Sequence, residues 1–512
     1  MNLLTHNTFR VKLKAGADDI SLPALLEALG AGKVDDYLGL QRHQAEPFHV
    51  FLCSLAAIVL SRRKAENPVQ TALYWKSGLT EIAGRFGEDA WEMFVDDDTQ
   101  PAFMQPPLPS AQSETGRRAQ ANYRTPDELD LLITAKNHDL KMSRQKKPHI
   151  DEWVYALISL QTMSGYCGKG HYGISRMNSG FGNRSIVEIA QSLEPNQRWR
   201  DAVLRLMAHR AVLLRRPFGY RDDGIALAWT EPWDGVTPLP LTTLDPLFIE
   251  VCRRIRLGRD SGNGEASGWH YPVKAMRIAA TAFHGNVGDA WLPIDLAKGA
   301  AFTASATGFS PKELRRIVFQ DSVDLSALQR PLAGWQGPAW LKLSVLVRGQ
   351  GRTDGYHERT IMLPPAVQPK LFGNEAARAP LADLSKAMID CAEKTHQALK
   401  IALFTKFQGG PAQTNIDRKA QAQWWRRYKS QFDLLWTTDY FPHLWQVPEA
   451  FDQEEEQLKW VRILQNYALQ VLNLAMDETP QRSGQRHRAI ARSFSAFFGV
   501  LYSPKFFPRL LK

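Results

Sequence analysis

Residues 165–183, GYCGKGHYGISRMNSGFGN, set six glycines among Lys169, His171, Tyr172 and Arg176 and the polar side chains of Ser175, Asn178, Ser179 and Asn183. Glycine has no Cβ, so such a loop can adopt positive φ angles and bring backbone N–H groups against a ligand where other residues would clash. That composition suits a polyanion. The spacing is neither G-x-x-x-x-G-K-[ST] nor part of an evident βαβ unit, and Gly165, Gly168, Gly170 and Gly173 miss the dinucleotide pattern. A surface loop without a ligand therefore stays open as a reading.

Two further segments share this character. Residues 136–149, KNHDLKMSRQKKPH, carry five Lys or Arg against one Asp, with almost no large apolar side chain. Such a run is a basic loop, solvated or backbone-binding. Residues 348–355, RGQGRTDG, put glycines on both sides of Gln350 after an alternating segment, which suggests a hairpin tip beside a ligand.

Catalytic spacing is weak. No H-E-x-x-H, G-x-S-x-G, kinase or Walker pattern occurs. His357-Glu358 offers one base and one acid without the second carboxylate cluster that a two-metal centre needs. Asp96-Asp97-Asp98 repel one another and point in different directions, so a solvated loop or helix end is expected there. The chain reads as a binding subunit without metal or cofactor rather than an enzyme.

The 512 residues hold 63 Lys and Arg against 53 Asp and Glu, a net charge of +10 that favours acidic partners such as nucleic acid. Cys53, Cys167, Cys252 and Cys391 lie far apart with no C-x-x-C pair, which supports neither a zinc ribbon nor a disulfide framework. A cytoplasmic location is expected from this and from the absence of a signal-peptide pattern. The apolar run Val50–Leu60 is too short to span a bilayer and reads as a buried helix.

These loops need elements to hold them. Strands are expected at Leu3–Leu4 and Phe9–Leu13, helices near 22–30 and 48–63, a proline-limited turn at PAFMQPP (101–107) and helices at SIVEIAQSL and RWRDAVLRLMAHRAVLLRR. LKLSVLVRGQ alternates as a strand. From about 376 the pattern becomes wholly helical: Leu381, Leu384, Met388, Cys391, Leu399 and Leu403, then Trp425, Tyr428, Phe432, Leu435 and Trp436. Leu458, Val461, Leu464, Val471 and Leu472 follow, then Ile490, Phe494, Phe497, Phe498 and Leu501. The fold class is therefore α+β, with a mixed α/β domain over 1–375 and an antiparallel four-helix bundle over 376–512. Arg418, Lys419, Arg426, Arg427, Lys429, Arg482, Arg486, Arg488 and Arg492 make one bundle face positive, by default a solvated face.

Taken in order, the opening MNLLTHNTFRV, the PAFMQ turn, the glycine-rich loop and the terminal helices resemble the large subunit of the type I-E CRISPR Cascade complex, the CasA family. The resemblance implies a non-catalytic subunit that reads the protospacer-adjacent motif of double-stranded target DNA from the minor-groove side and helps open the duplex. Its implied partners are a guide RNA complex, other Cascade subunits and a helicase-nuclease, with no membrane. Minor-groove edges are degenerate, so such a reader tolerates related motifs while guide pairing supplies the remaining specificity. Carried over by order, the family's glycine loop falls on Gly165, Tyr166, Gly168, Lys169 and Gly170. Its minor-groove lysine falls near Lys274, with Arg277 as a competitor, and its glutamine wedge falls on Gln350 between Gly349 and Gly351. Its DNA-reaching loop falls on Lys136, Asn137, Lys141, Arg144, Lys146 and Lys147. Where some members carry a cysteine cluster, this chain has Cys252 alone, which argues against a bound zinc.

Two other classes remain open on sequence. An RNA-binding scaffold predicts preference for single-stranded RNA with steep salt dependence. A hydrolase with a spatially assembled site predicts metal-dependent turnover abolished by His357→Ala.

Overall fold

The computed structural model describes residues 1–110, 123–130, 148–165, 170–177, 183–259, 265–349, 352–406, 418–478 and 483–511. They form two compact units, Met1–Ser310 with Gln320–Pro365, and Pro311–Phe319 with Ala366–Lys512.

In the first unit, β1 (Phe9–Leu13) pairs antiparallel with β2 (Gly16–Ile20) on one side and β3 (Val34–Tyr37) on the other. Between them runs α1 (Leu22–Gly30), which starts where the Ser21 side chain accepts from Ala24 N and Pro23 fills the first turn. The edge of β3 is covered by one side chain: Asn196 Oδ1 accepts from Val34 N at 3.0 Å and its Nδ2 donates to Val34 O at 2.7 Å. Leu3 and Leu4 are not a strand. Asn2 Oδ1 accepts from Leu4 N and Asn2 O from His6 N, closing a turn that buries both leucines.

The core is built around α2 (Arg42–Arg62), which starts six residues ahead of the expected 48. It is long and apolar enough to cross a membrane by length and composition, yet 78% of its most apolar window is buried within the fold. Around it stand α3 (Ala72–Ile82), α4 (Pro126–Asp130), α5 (Ile150–Met163), β4 (Ser185–Ala190) and α6 (Pro195–Leu213). Two ring clusters fill the spaces, Phe9–Phe48–Tyr155 and Trp91–Phe103–Trp229, with centroid separations from 4.8 to 6.1 Å. Residues 185–190 form a strand where a helix was expected. All six are buried, and a segment buried on both faces carries no alternation by which a strand is distinguished from a helix.

β5 (Ile225–Leu227) runs parallel to β6 (Leu244–Ile249), and β7 (Arg254–Arg259) pairs antiparallel with β8 (Ala266–Tyr271). A small sheet joins β9 (Ile294–Asp295), β10 (Ala300–Ala301) and β11 (Val323–Asp324). β12 (Ala339–Gly349) pairs with β4 and with β13 (Arg352–Leu363), in the order β13-β12-β4. The break expected over 348–355 is narrower than that, because pairing reaches Gly349↔Arg352.

Charges are buried inside this unit. Arg198 of α6 donates to Glu188 of β4 at 2.8 Å and pairs with Glu46 of α2, which also lies 2.9 Å from Lys342 of β12. Burial pushes the Glu46 carboxyl up, but Arg198 and Lys342 override it and hold the pKa far below the carboxylate range.

The second unit holds α7 (Pro311–Val318), α8 (Gln368–Phe372), α9 (Glu375–Thr405), α10 (Arg418–Trp445), α11 (Gln453–Glu478) and α12 (Ser483–Leu501). Side-chain pairs give the direction of each long helix. Ser385 meets Tyr440 and His396 stacks on Trp425, so α10 runs against α9. Trp460 donates to Met388 O at 3.0 Å and Lys406 to Met476 O at 3.3 Å, so α11 runs with α9. Tyr502, just past α12, donates to Gln465 while Ser493 reaches Ala402 O, so α12 runs against both. This is an antiparallel four-helix bundle. Leu384, Leu399, Phe432, Leu464 and Phe497 are among its fully buried residues, each contributing about 1.5–3 kcal/mol of hydrophobic stabilisation.

Candidate nucleic-acid interface

The glycine-rich loop is held from below by a chain of hydrogen bonds that begins at the PAFMQ turn. Phe103 and Met104 are fully buried, and Met104 has φ +55°. The Gln105 side chain donates to Met93 O and accepts from Leu257 N at 2.7 Å, which anchors β7. Gln161, near the end of α5, donates to Met104 O at 2.7 Å while its Oε1 accepts from Cys252 N and Arg253 N at 2.9 and 2.8 Å. With its backbone fixed, Arg253 extends a guanidinium that donates to Gly165 O at 2.7 Å and Tyr172 O at 2.9 Å. One buried side chain thus clasps the loop where it leaves α5 and where it returns.

Gly170 has φ +85° with open space where a Cβ would stand, so conformation alone accounts for glycine there. Its carbonyl accepts from Val273 N at 3.0 Å. That bond sets the next residue, Lys274, beside the loop with its side chain exposed and its own N–H on Gly235 O at 2.7 Å. Gly170 and Lys274 are therefore together, although more than a hundred residues separate them. Gly165 lies at the clasp. Tyr166, Gly168 and Lys169 lie outside the described residues, as do Lys136, Asn137, Lys141, Arg144, Lys146, Lys147, Gln350 and Gly351. Gly349 ends β12, in a different sheet from β7 and β8.

Several polar residues of the loop region are not available to a ligand. Ser175 donates through N and Oγ to Glu250 Oε1 at 2.6 and 2.5 Å, and Arg176 donates to Glu250 at 3.1 Å and Phe248 O at 2.7 Å. Arg184 pairs with Asp289 at 2.8 Å, and Arg176 stands 3.8 Å from the same carboxylate. Burial pushes the Asp289 carboxyl up, but Arg184 and Arg176 hold it below the usual range. These ion pairs hold Arg176 and Arg184 in the interior. Arg277 is excluded as a competitor of Lys274: it is 2% exposed, donates to Glu231 O at 2.8 Å and packs over Trp233, with burial pushing its pKa down to about 10.

The isolated chemistry dissolves in the same way. His357 and Glu358 are neighbours in β13 and face opposite sides of the sheet. His357 meets Gly308 and Ala306 O, whereas Glu358 pairs with Arg42. Asp97 caps the Thr99 turn and Asp98 accepts from Tyr271 Oη at 2.5 Å. Cys252 is buried, its thiol on Leu160 O. No group of three or more His, Cys, Asp or Glu among the described residues could hold a metal ion.

One part of this surface is only half signalled in the sequence, which singles out His171 but neither Tyr123 nor His270. Tyr123 pairs through its backbone with Gly268 of β8, and its hydroxyl meets His270 Nδ1 at 3.0 Å. The His270 ring lies 4.8 Å from that of His171 and 5.9 Å from that of Tyr123. Burial, then His171 and Arg253, push His270 down to about 4; burial and Arg253 also lower His171. Tyr172, next in chain to His171, is 37% exposed. Only their proximity in the fold reveals this set, since the three rings come from separate segments.

No family model matches the sequence, and no curated protein matches it. Solved structures do. The chain superposes on CasA (Cse1) of Thermus thermophilus with a TM-score of 0.62 at 14% identity, covering 98% of this chain and 99% of that one. It matches the CRISPR-associated protein Cse1 of Acidimicrobium ferrooxidans with a TM-score of 0.61 at 13% identity, over 98% and 97% of the two chains. Cse1 of Thermobifida fusca gives 0.56 at 13%, over 98% of each. The chain has the fold of the CasA (Cse1) proteins from end to end.

Proposed function

We propose that this chain is the large, non-catalytic subunit of an RNA-guided CRISPR surveillance complex, reading a protospacer-adjacent motif in double-stranded DNA and helping to open the duplex for guide pairing. The observation that carries this reading is the whole-length fold it shares with CasA (Cse1). The local geometry supports it: an exposed lysine stands against a clasped glycine loop, an arrangement in which backbone donors and one cation can enter a groove too narrow for bulky side chains. In this reading Gly165, Tyr166, Gly168, Lys169, Gly170 and Lys274 meet the motif. Gln350, between Gly349 and Gly351, acts as the wedge, at an unstacking cost of a few kcal/mol offset by phosphate contacts. Lys136, Asn137, Lys141, Arg144, Lys146 and Lys147 supply such contacts, and a helicase-nuclease docks on the assembled particle.

The test is co-expression of the full chain with its genomic neighbours. The chain joins a particle containing a small RNA of constant length, and that particle binds motif-bearing duplex. Lys274→Ala lowers that affinity and reduces the salt slope by about one, while Gly168→Asp and Gln350→Ala abolish motif dependence. A chain that stays out of the particle, or variants that bind as the unmodified protein does, refutes the reading.

A further inference from the structure

The rings beside Gly170 do something that a phosphate contact does not require. Tyr123, His270 and His171 follow one another at 5.9 and 4.8 Å, half-buried, with the more exposed Tyr172 next in chain. Tyr123 and His270 are held by hydrogen bonds, and His171 packs against His270. Tyr123 N and O both bond to Gly268, the Tyr123 hydroxyl holds the His270 ring at 3.0 Å, and Arg253 holds Tyr172 O at 2.9 Å. Rings immobilised in this way lose little further entropy when a planar group stacks on them. Histidines meant for phosphate would be stabilised as cations, whereas burial, with His171 and Arg253, pushes His270 down to about 4 and burial and Arg253 lower His171, which favours the neutral rings. Lys274, joined to the same surface through Val273 N and Gly170 O, supplies the cation for a neighbouring phosphate. Fixed rings flanked by a lysine are the recurring arrangement for unpaired nucleotides.

We propose that Tyr123, His270 and His171 form a stacking seat for an unpaired nucleobase of the DNA strand released when the duplex opens. The seat rests on the duplex-opening function proposed above and adds to it a place for a displaced base. It takes a base by its face, so it is tolerant of sequence and acts after the motif has been read.

The test uses the assembled particle containing the full chain and two targets that carry the motif but no match to the guide, so that pairing with the RNA opens neither: one fully paired, and one with a short unpaired bubble next to the motif that carries 2-aminopurine. The unmodified protein binds the bubbled target more tightly and quenches the probe. His171→Leu, which removes the ring and keeps the bulk, weakens binding of the bubbled target about ten-fold and restores the fluorescence, leaving the fully paired target unchanged. His270→Leu does the same and His270→Phe rescues it, which separates stacking from the hydrogen bond to Tyr123. Circular dichroism and melting of each variant establish that it is folded. Equal loss on both targets, or no change in their ratio with any of the variants, overturns the seat while leaving the motif-reading function intact. Equal quenching by a bubble with RNA in place of the displaced strand overturns its assignment to DNA. Failure of the unmodified particle to bind either target overturns the function on which the seat rests.

Discussion

Arg253→Met tests the clasp under the glycine loop directly. The substitution keeps a flexible stem of similar length in the buried channel and removes the guanidinium that bonds Gly165 O at 2.7 Å and Tyr172 O at 2.9 Å. Hydrogen bonds from a charged donor contribute about 1.5–3 kcal/mol each, so the two long-range bonds sum to about 3–6 kcal/mol. Water reaches the return of the loop, where Gly170 and His171 are half-exposed, and replaces part of the loss. The expected cost of loop anchoring is about 2–4 kcal/mol, a rise in opening of about 30- to 1000-fold at 1.4 kcal/mol per decade. Two amides report it by hydrogen exchange: Ile174 N, bonded to Ser164 O, and Val273 N, bonded to Gly170 O. Both exchange faster by that factor, while amides in the middle of α5 keep their protection. A change of less than about three-fold at these amides refutes the clasp, because it lies below the range that even one such bond supplies. An equal loss of protection throughout α5 and β6 refutes it in another way, by making Arg253 a support of the whole core.

Three other outcomes follow from the same geometry. Asp289→Asn leaves Arg184 and Arg176 short of a buried counter-charge and costs about 3–5 kcal/mol in chemical denaturation, against unchanged stability if the pairs are incidental. Glu46 has a folded pKa below its usual 4.5, so its contribution is complete above pH 4.5 and is lost as pH falls below it. Glu46→Gln is therefore less stable at pH 7 and flatter between pH 5 and pH 3, and equal slopes in urea midpoint for the two proteins would sink the assignment. Gly285→Ala places a Cβ 2.6 Å from Ala301 Cβ and 2.8 Å from Arg176 O at φ +82°, costing about 2–4 kcal/mol by crowding and backbone strain, which a melting curve equal to that of the unmodified protein would contradict.

Wherever the chain repeats one physical pattern, the sequence is informative. Leu384, Met388, Phe432, Leu464 and Phe497 recur at helical spacing because the bundle buries a single stripe per helix, and the alternation in 341–347 marks β12 for the corresponding reason. β4 reads as a helix because both of its faces are covered. β2 and β3 escape notice because GADDI and VDDY leave their acidic residues in water and keep too few apolar ones to make a pattern. At the site, Gly165, Gly170 and Lys274 were nameable from residue type and resemblance. Their proximity was not, since it depends on the Val273–Gly170 bond. The fate of Arg176 was illegible because its partners Glu250 and Asp289 come from distant segments, and charge in a loop is read as charge for solvent until such partners are known. Arg253 and the rings of Tyr123 and His270 have no local signal at all, and His171 is legible only as a member of the glycine-rich loop.

The Asn196 side chain on the edge of β3 has a consequence for life in a crowded cell. Its carboxamide presents one acceptor and one donor to Val34 as the next strand would, so the ladder ends in a group that offers nothing for a stray peptide to zip onto. An aliphatic residue in its place would bare a hydrogen-bonding edge beside apolar neighbours, and self-association at high concentration, more than unfolding, would be the first sign of that loss.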